Sequence, residues 1–140
     1  MPDHPGDGAL TDEQFARILE FRIALRRFGR FSEEQAAKLD MTAAQHQLLL
    51  AIRGHDNPRG PTIADVARAL LVRHHSAIGL VDRTQELGLL ERRSDPDDQR
   101  LVRLALTPLG HDRVNALALA HFKELRQLAE VLGALLEADA

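Results

Sequence analysis

The side chains of this chain that have most chemistry to offer lie in its middle third. His74, His75 and Ser76 are followed by Gly79, Arg83 and Glu86. At helical spacing His75, Ser76, Gly79, Arg83 and Glu86 fall on one stripe. Histidine and serine donate to base edges, an arginine reaches a phosphate or a guanine, and a glycine lets a helix come close to a duplex. Further along, Asp98 and Arg100 stand either side of Gln99 in a stretch rich in turn formers. An arginine at such a tip suits the negative potential of a narrow minor groove, and the aspartate would orient it through a charge-assisted pair. Arg73, His74, Arg92, Arg93 and Arg103 flank the same region, the arginines as phosphate contacts. A polar stripe is also what the solvated face of any amphipathic helix looks like. The order of the elements around it therefore has to decide.

Other chemistry is poorly supported. The seven histidines invite a metal reading, but adjacent His74 and His75 point in different directions on a helix, and the others show no ligand spacing. The acids Asp95, Asp97 and Asp98 lack the glycine and closing glutamate of a calcium loop and read as a turn. Cysteine is absent, which excludes disulfides, thiolate metal sites and thiol redox sensing. No nucleophile elbow, phosphate-cradling glycine loop or paired-histidine metal helix is present, so an enzyme is not expected, nor is a cofactor or metal.

The elements that must position these residues follow from periodicity and punctuation. MPDHPGDGAL reads as a flexible lead-in over residues 1–10. Thr11 and Gln14 form a capping box for a long helix that carries Phe15, Ile18, Leu19, Ile23, Leu25 and Phe28, with Gly29 and Ser32 expected to break it before a short segment from Glu33 to Lys38. Thr42 and Gln45 start a second helix, which ends at the breakers from His55 to Pro61. Thr62 and Asp65 open a short helix to about Leu70. Leu71 to Arg73 make a turn, and a further helix begins near His74, turns Ile78, Val81 and Leu87 inward and ends at Gly88. Two short helices joined by a tight turn outline a helix-turn-helix. Strands over Leu89–Arg93 and Leu101–Leu106 enclose the polar tip, and Thr107-Pro108 returns the chain to helix as far as about Glu137.

Length and charge set the frame. A chain of 140 residues, 44% of them apolar, suits one compact unit over 11–140, expected cytoplasmic because neither an export signal nor a membrane-length apolar run is apparent. The net charge of −3 is unhelpful to a nucleic-acid binder, yet residues 53–107 hold nine Lys/Arg against eight Asp/Glu and are the only net positive third. Both ends carry more apolar surface than a monomer tolerates, which points to a homodimer.

Taken together, Thr62-Ile63-Ala64-Asp65-Val66-Ala67, His74 to Arg83, Glu86-Leu87-Gly88-Leu89-Leu90-Glu91-Arg92, Asp98-Gln99-Arg100 and Leu106-Thr107-Pro108-Leu109-Gly110 resemble the MarR family in residues, order and spacing. The resemblance implies a mainly α fold with a β-hairpin wing: a winged helix-turn-helix lobe over about 42–107, with dimerisation helices over about 11–31 and 108–137. It implies a transcription regulator, most often a repressor, that binds double-stranded operator DNA as a dimer, hence an inverted repeat. The recognition helix would lie in the major groove and the wing in the minor groove. A small, often aromatic effector would sit near the junction of the first two helices, with Phe21, Arg22, Leu25, His46 and Leu50 as its candidate contacts. The wing carries Gln99 where many members carry arginine, one positive charge fewer. The alternative is a winged helix that docks another protein without binding DNA.

Overall fold

The computed structural model describes residues 8–137. Residues 1–7 of the expected lead-in lie outside the described residues. The elements in chain order are α1 (Asp12–Lys38), α2 (Ala43–Arg53), α3 (Ile63–Leu70), α4 (His74–Glu86), β1 (Leu90–Ser94), β2 (Val102–Leu106) and α5 (Pro108–Glu137). They group into two compact units, a winged unit of residues 35–119 and a helical unit of residues 8–34 with 120–137. The winged unit contains the whole expected DNA-binding lobe and adds the end of α1 and the beginning of α5.

Local chemistry starts each helix of the winged unit. Thr42 Oγ1 accepts from Gln45 N at 3.1 Å while the Gln45 side chain accepts from Thr42 N at 2.9 Å, which satisfies two of the N–H groups a helix start leaves open. Thr62 and Asp65 repeat the arrangement on α3 at 3.2 and 2.9 Å. Leu71 caps α3 in the left-handed region at φ 55°, and its N–H returns to the carbonyls of Ala67 and Arg68. That abrupt stop turns the chain directly into α4. Gly88, at φ 77°, ends α4 on the other side. Leu87 was expected to point inward, but α4 stops at Glu86 and leaves Leu87 exposed; the buried row is Ala77, Leu80, Val81 and Thr84. The Thr84 hydroxyl is accommodated there by donating to Leu80 O at 2.7 Å.

Leu48, Leu49, Val66, Val81, Leu90, Leu104 and Leu117 are the largest apolar side chains at the centre of this core. β1 and β2 pair antiparallel from Leu90 opposite Leu106 to Ser94 opposite Val102. The segment before α3 also joins the hairpin: Thr62 bridges Arg103, and Leu104 N donates to Pro61 O at 2.8 Å. Gly60 makes that approach possible. It sits at φ 89°, and a Cβ there would lie 2.2 Å from Leu104 O.

In the helical unit, α1 runs unbroken through Gly29 and Ser32, against the expected break. An interior glycine costs up to about 1 kcal/mol relative to alanine, and the packing around it offsets that: Phe28 and Phe31 both meet His121 in T-shaped ring contacts, at centroid distances of 5.7 and 5.2 Å. Beyond these contacts the unit keeps much apolar surface in water. Phe15 is 59% and Phe122 57% exposed, and Ile18, Leu19, Ile23, Leu125, Leu132 and Leu136 are exposed with them. Among the described residues no helix is long and apolar enough to cross a membrane.

Candidate nucleic-acid interface

Helix α4 begins without a side-chain cap. Arg73 occupies the N-cap position and makes no capping hydrogen bond. The first turn that follows, His74, His75 and Ser76, is exposed. Unpaired N–H groups and the positive end of the helix dipole therefore face water together with donor side chains. Along the same face Arg83 and Glu86 are exposed, and Gly79 is half-buried beneath an arginine: a Cβ on Gly79 would meet Arg83 Nη1 at 3.1 Å. The glycine makes room for the Arg83 guanidinium to lie back along the helix. The buried row described above anchors the opposite face of α4.

The wing is built around one buried carboxylate. Asp95, 3% exposed, accepts from the backbone N–H groups of Asp97 and Asp98 at 2.8 and 2.9 Å and from Arg103 Nε at 2.9 Å. Arg103 also donates to Gly60 O at 3.2 Å, and Arg59 reaches Asp95 at 3.5 Å and Asp97 more closely. These bonds tie the tip of the hairpin to its base and to the segment before α3. The Arg103 hydrogen bond is the main cause that holds the Asp95 carboxyl below the usual carboxylate range. At the tip, Asp98 Oδ1 accepts from Arg100 N and Nε at 3.0 Å each, and Oδ2 accepts from Nη2 at 3.2 Å. The pair lowers the Asp98 pKa too. Arg100 remains 89% exposed, so its guanidinium is oriented without being covered.

The remaining arginines divide by role. Arg92 binds Asp82 and Gln85 on α4 and so locks the wing to that helix. Arg93, its neighbour on the other face of the strand, pairs with exposed Glu91. Arg103, expected as a phosphate contact, has its guanidinium engaged by Asp95 and Gly60 and only 15% of its side chain exposed. Its observed place is that of a wing anchor. Arg59 and Asp95 were not singled out in the sequence as site residues, because their partners are distant along the chain and only the turn itself was legible there. The candidate effector residues divide between the units. Phe21 and Leu25 are half-buried and Arg22 exposed on α1, whereas His46 is buried and Leu50 exposed on α2. Among the described residues no group of three His, Cys, Asp or Glu side chains is placed to hold a metal ion.

Acid should open the wing before it unfolds the core. The depressed carboxyls of Asp95, Asp98 and Asp65, the last lowered first by the Thr62 N–H, stabilise the fold fully above their unfolded pKa near 3.9. That contribution fades as pH falls below about 4 and through the folded values. In an amide NMR titration the N–H signals of Asp97, Asp98 and Arg100 should therefore move or broaden below about pH 4, while those of Leu49 and Val81 hold.

A MarR family model matches residues 39–101. No curated protein matches the chain. Among solved structures, MarR of E. coli in its apo form is 21% identical, with 94% of this chain and 98% of that one covered and a TM-score of 0.69. MepR of S. aureus in complex with DNA is 20% identical over 87% and 85%, with a TM-score of 0.67. BpsR of Bordetella bronchiseptica, described for regulation of its DNA binding by 6-hydroxynicotinic acid, is 22% identical over 91% and 99%, with a TM-score of 0.64. These likenesses identify the fold as the winged helix of MarR structures, with its two-stranded wing and its long first and last helices. Over its winged segment, residues 39–101, the chain is similar to the MarR family.

Proposed function

We propose that this protein is a transcription regulator that binds a specific operator as a cytoplasmic homodimer, represses, and is released by a small molecule. One observation carries the reading. An uncapped, exposed helix start bearing His74, His75 and Ser76 stands on the same unit as an oriented, exposed arginine at the wing tip, and Arg92 fastens wing to helix. That pairing suits base readout by α4 and minor-groove insertion by Arg100. Arg73, Arg83 and Arg93 supply the phosphate contacts in this reading, with Asp98 as the orienting partner. The exposed apolar residues of the helical unit supply the dimer interface. MepR as a DNA complex and BpsR as a ligand-regulated DNA binder support the DNA and release parts by family likeness.

Selection from random duplex DNA tests the reading. A two-fold dimer should return an inverted repeat with half-site centres about 34–36 Å apart, one helical turn. Unrelated sequences without a repeat would contradict it. On the selected site, Ser76→Ala should change preference at a few central base pairs, at a cost on the order of 1 kcal/mol per lost contact, with little change in salt dependence. Competition binding against single-base substitutions measures this. Because Arg73 leaves α4 without a side-chain cap and Ser76 makes no capping bond of its own there, thermal stability should be nearly unchanged.

A further inference from the structure

The winged unit contains a cavity of about 380 Å³ that the DNA-binding reading does not use. It lies behind the wing, between the end of α2, the segment before α3, the outer face of the hairpin and the start of α5. Arg92 reaches toward α4 from one face of β1, and Arg93, one residue on, contributes to the cavity from the other. Three guanidinium-bearing residues, Arg53, Arg59 and Arg93, and two imidazoles, His55 and His111, line it, and no lining side chain is acidic. Outside the lining, Asp97, Glu91 and Asp65 offset Arg59, Arg93 and His55 in turn. Among the described residues Arg53 and His111 take part in no ion pair. An arginine with no carboxylate partner, beside further guanidinium and imidazole donors facing the same space, favours a bound anion through charge-assisted hydrogen bonds.

We propose that this cavity binds a small organic polyanion, a di- or tricarboxylate or a phosphate ester. The charge placement carries the choice of class. The guanidinium and imidazole donors come from four separate segments around the space, so one anionic group can meet only some of them, whereas several on one compact molecule engage α2, the wing and α5 together. No Phe, Tyr or Trp lines the cavity, so stacking of an aromatic ligand is not on offer. None of Phe21, Arg22, Leu25, His46 and Leu50 lines it, which makes it distinct from the effector position that family resemblance implies.

Isothermal titration of the full chain with citrate, with glucose 6-phosphate and with acetate, in the absence of DNA, tests the proposal. Saturable binding of citrate or glucose 6-phosphate, with acetate at least tenfold weaker, is the expected result, and whichever binds more tightly distinguishes carboxylate from phosphate. Arg53→Ala and His111→Ala should each weaken that binding about tenfold, the loss of a charge-assisted contact, while Lys123→Ala, at an exposed position outside the cavity, should leave it unchanged. Both tested positions are exposed, so the variants should fold. Binding that Arg53→Ala and His111→Ala leave intact, or no saturable binding of either polyanion, overturns the proposal. So does loss of operator affinity in Arg53→Ala without any small-molecule binding, which assigns the cavity to DNA phosphate. With no DNA in the titration, its failure leaves the regulator reading to its own test.

Discussion

Gly110→Ala is expected to destabilise the winged unit strongly. Gly110 lies in the first turn of α5, where its N–H donates to Thr107 Oγ1 at 3.1 Å. A Cβ there would sit 2.0 Å from Leu89 O and 3.4 Å from Leu106 Cβ. The obstacle is backbone, and that backbone is engaged: Leu89 O accepts from Thr107 N at 3.2 Å, the bond that joins the end of α4 to the start of α5. Relief requires α5 to lift off the hairpin or the bond to break. Overpacking against rigid backbone costs about 3 kcal/mol or more, a fall in melting temperature of roughly 10 °C. Thermal denaturation followed by circular dichroism measures it. Gly133→Ala is the control, since a Cβ there meets nothing within 4 Å. It should instead gain up to about 1 kcal/mol of helix propensity.

Arg100→Ala should have the largest effect on DNA binding at the smallest cost to the fold. Its guanidinium is held only by Asp98 and is otherwise in water, so thermal stability should hardly move. Operator affinity should fall at least about tenfold, and the slope of log affinity against log salt should flatten by about two, one for each arginine of the dimer. Sequence preference should relax mainly at A·T-rich positions beside each half-site and persist at its centre. Asp98→Ala should give a weaker version, because it frees Arg100 without removing it. Equal loss on every sequence with an unchanged salt slope would mean that the wing tip does not enter the minor groove.

What was legible in the sequence was local punctuation. Thr42 with Gln45, Thr62 with Asp65, Gly88 and Thr107-Pro108 each act within a few residues of themselves, and the structure places a helix end at every one. The paired Asp98 and Arg100 were legible for the same reason, being two residues apart. Tertiary partners were not. Arg103 looked like one more exposed arginine because its acceptors, Asp95 and Gly60, are 8 and 43 residues away. Gly29 looked like a helix break because propensity is local, whereas the ring contacts of Phe28 and Phe31 with His121 arise only when distant parts of the chain meet. The cavity behind the wing was hidden likewise, since its lining comes from segments far apart along the chain.

Whether this chain reads DNA sequence is measured most directly by equilibrium binding of the full chain to a selected duplex and to a scrambled duplex of equal length, across a salt series. A reader of base edges should bind the selected duplex at least about a thousandfold more tightly at physiological salt. Both affinities should fall linearly with log salt, since both include phosphate contacts. Equal affinity for the two duplexes at every salt concentration, or no binding to either, would contradict the account.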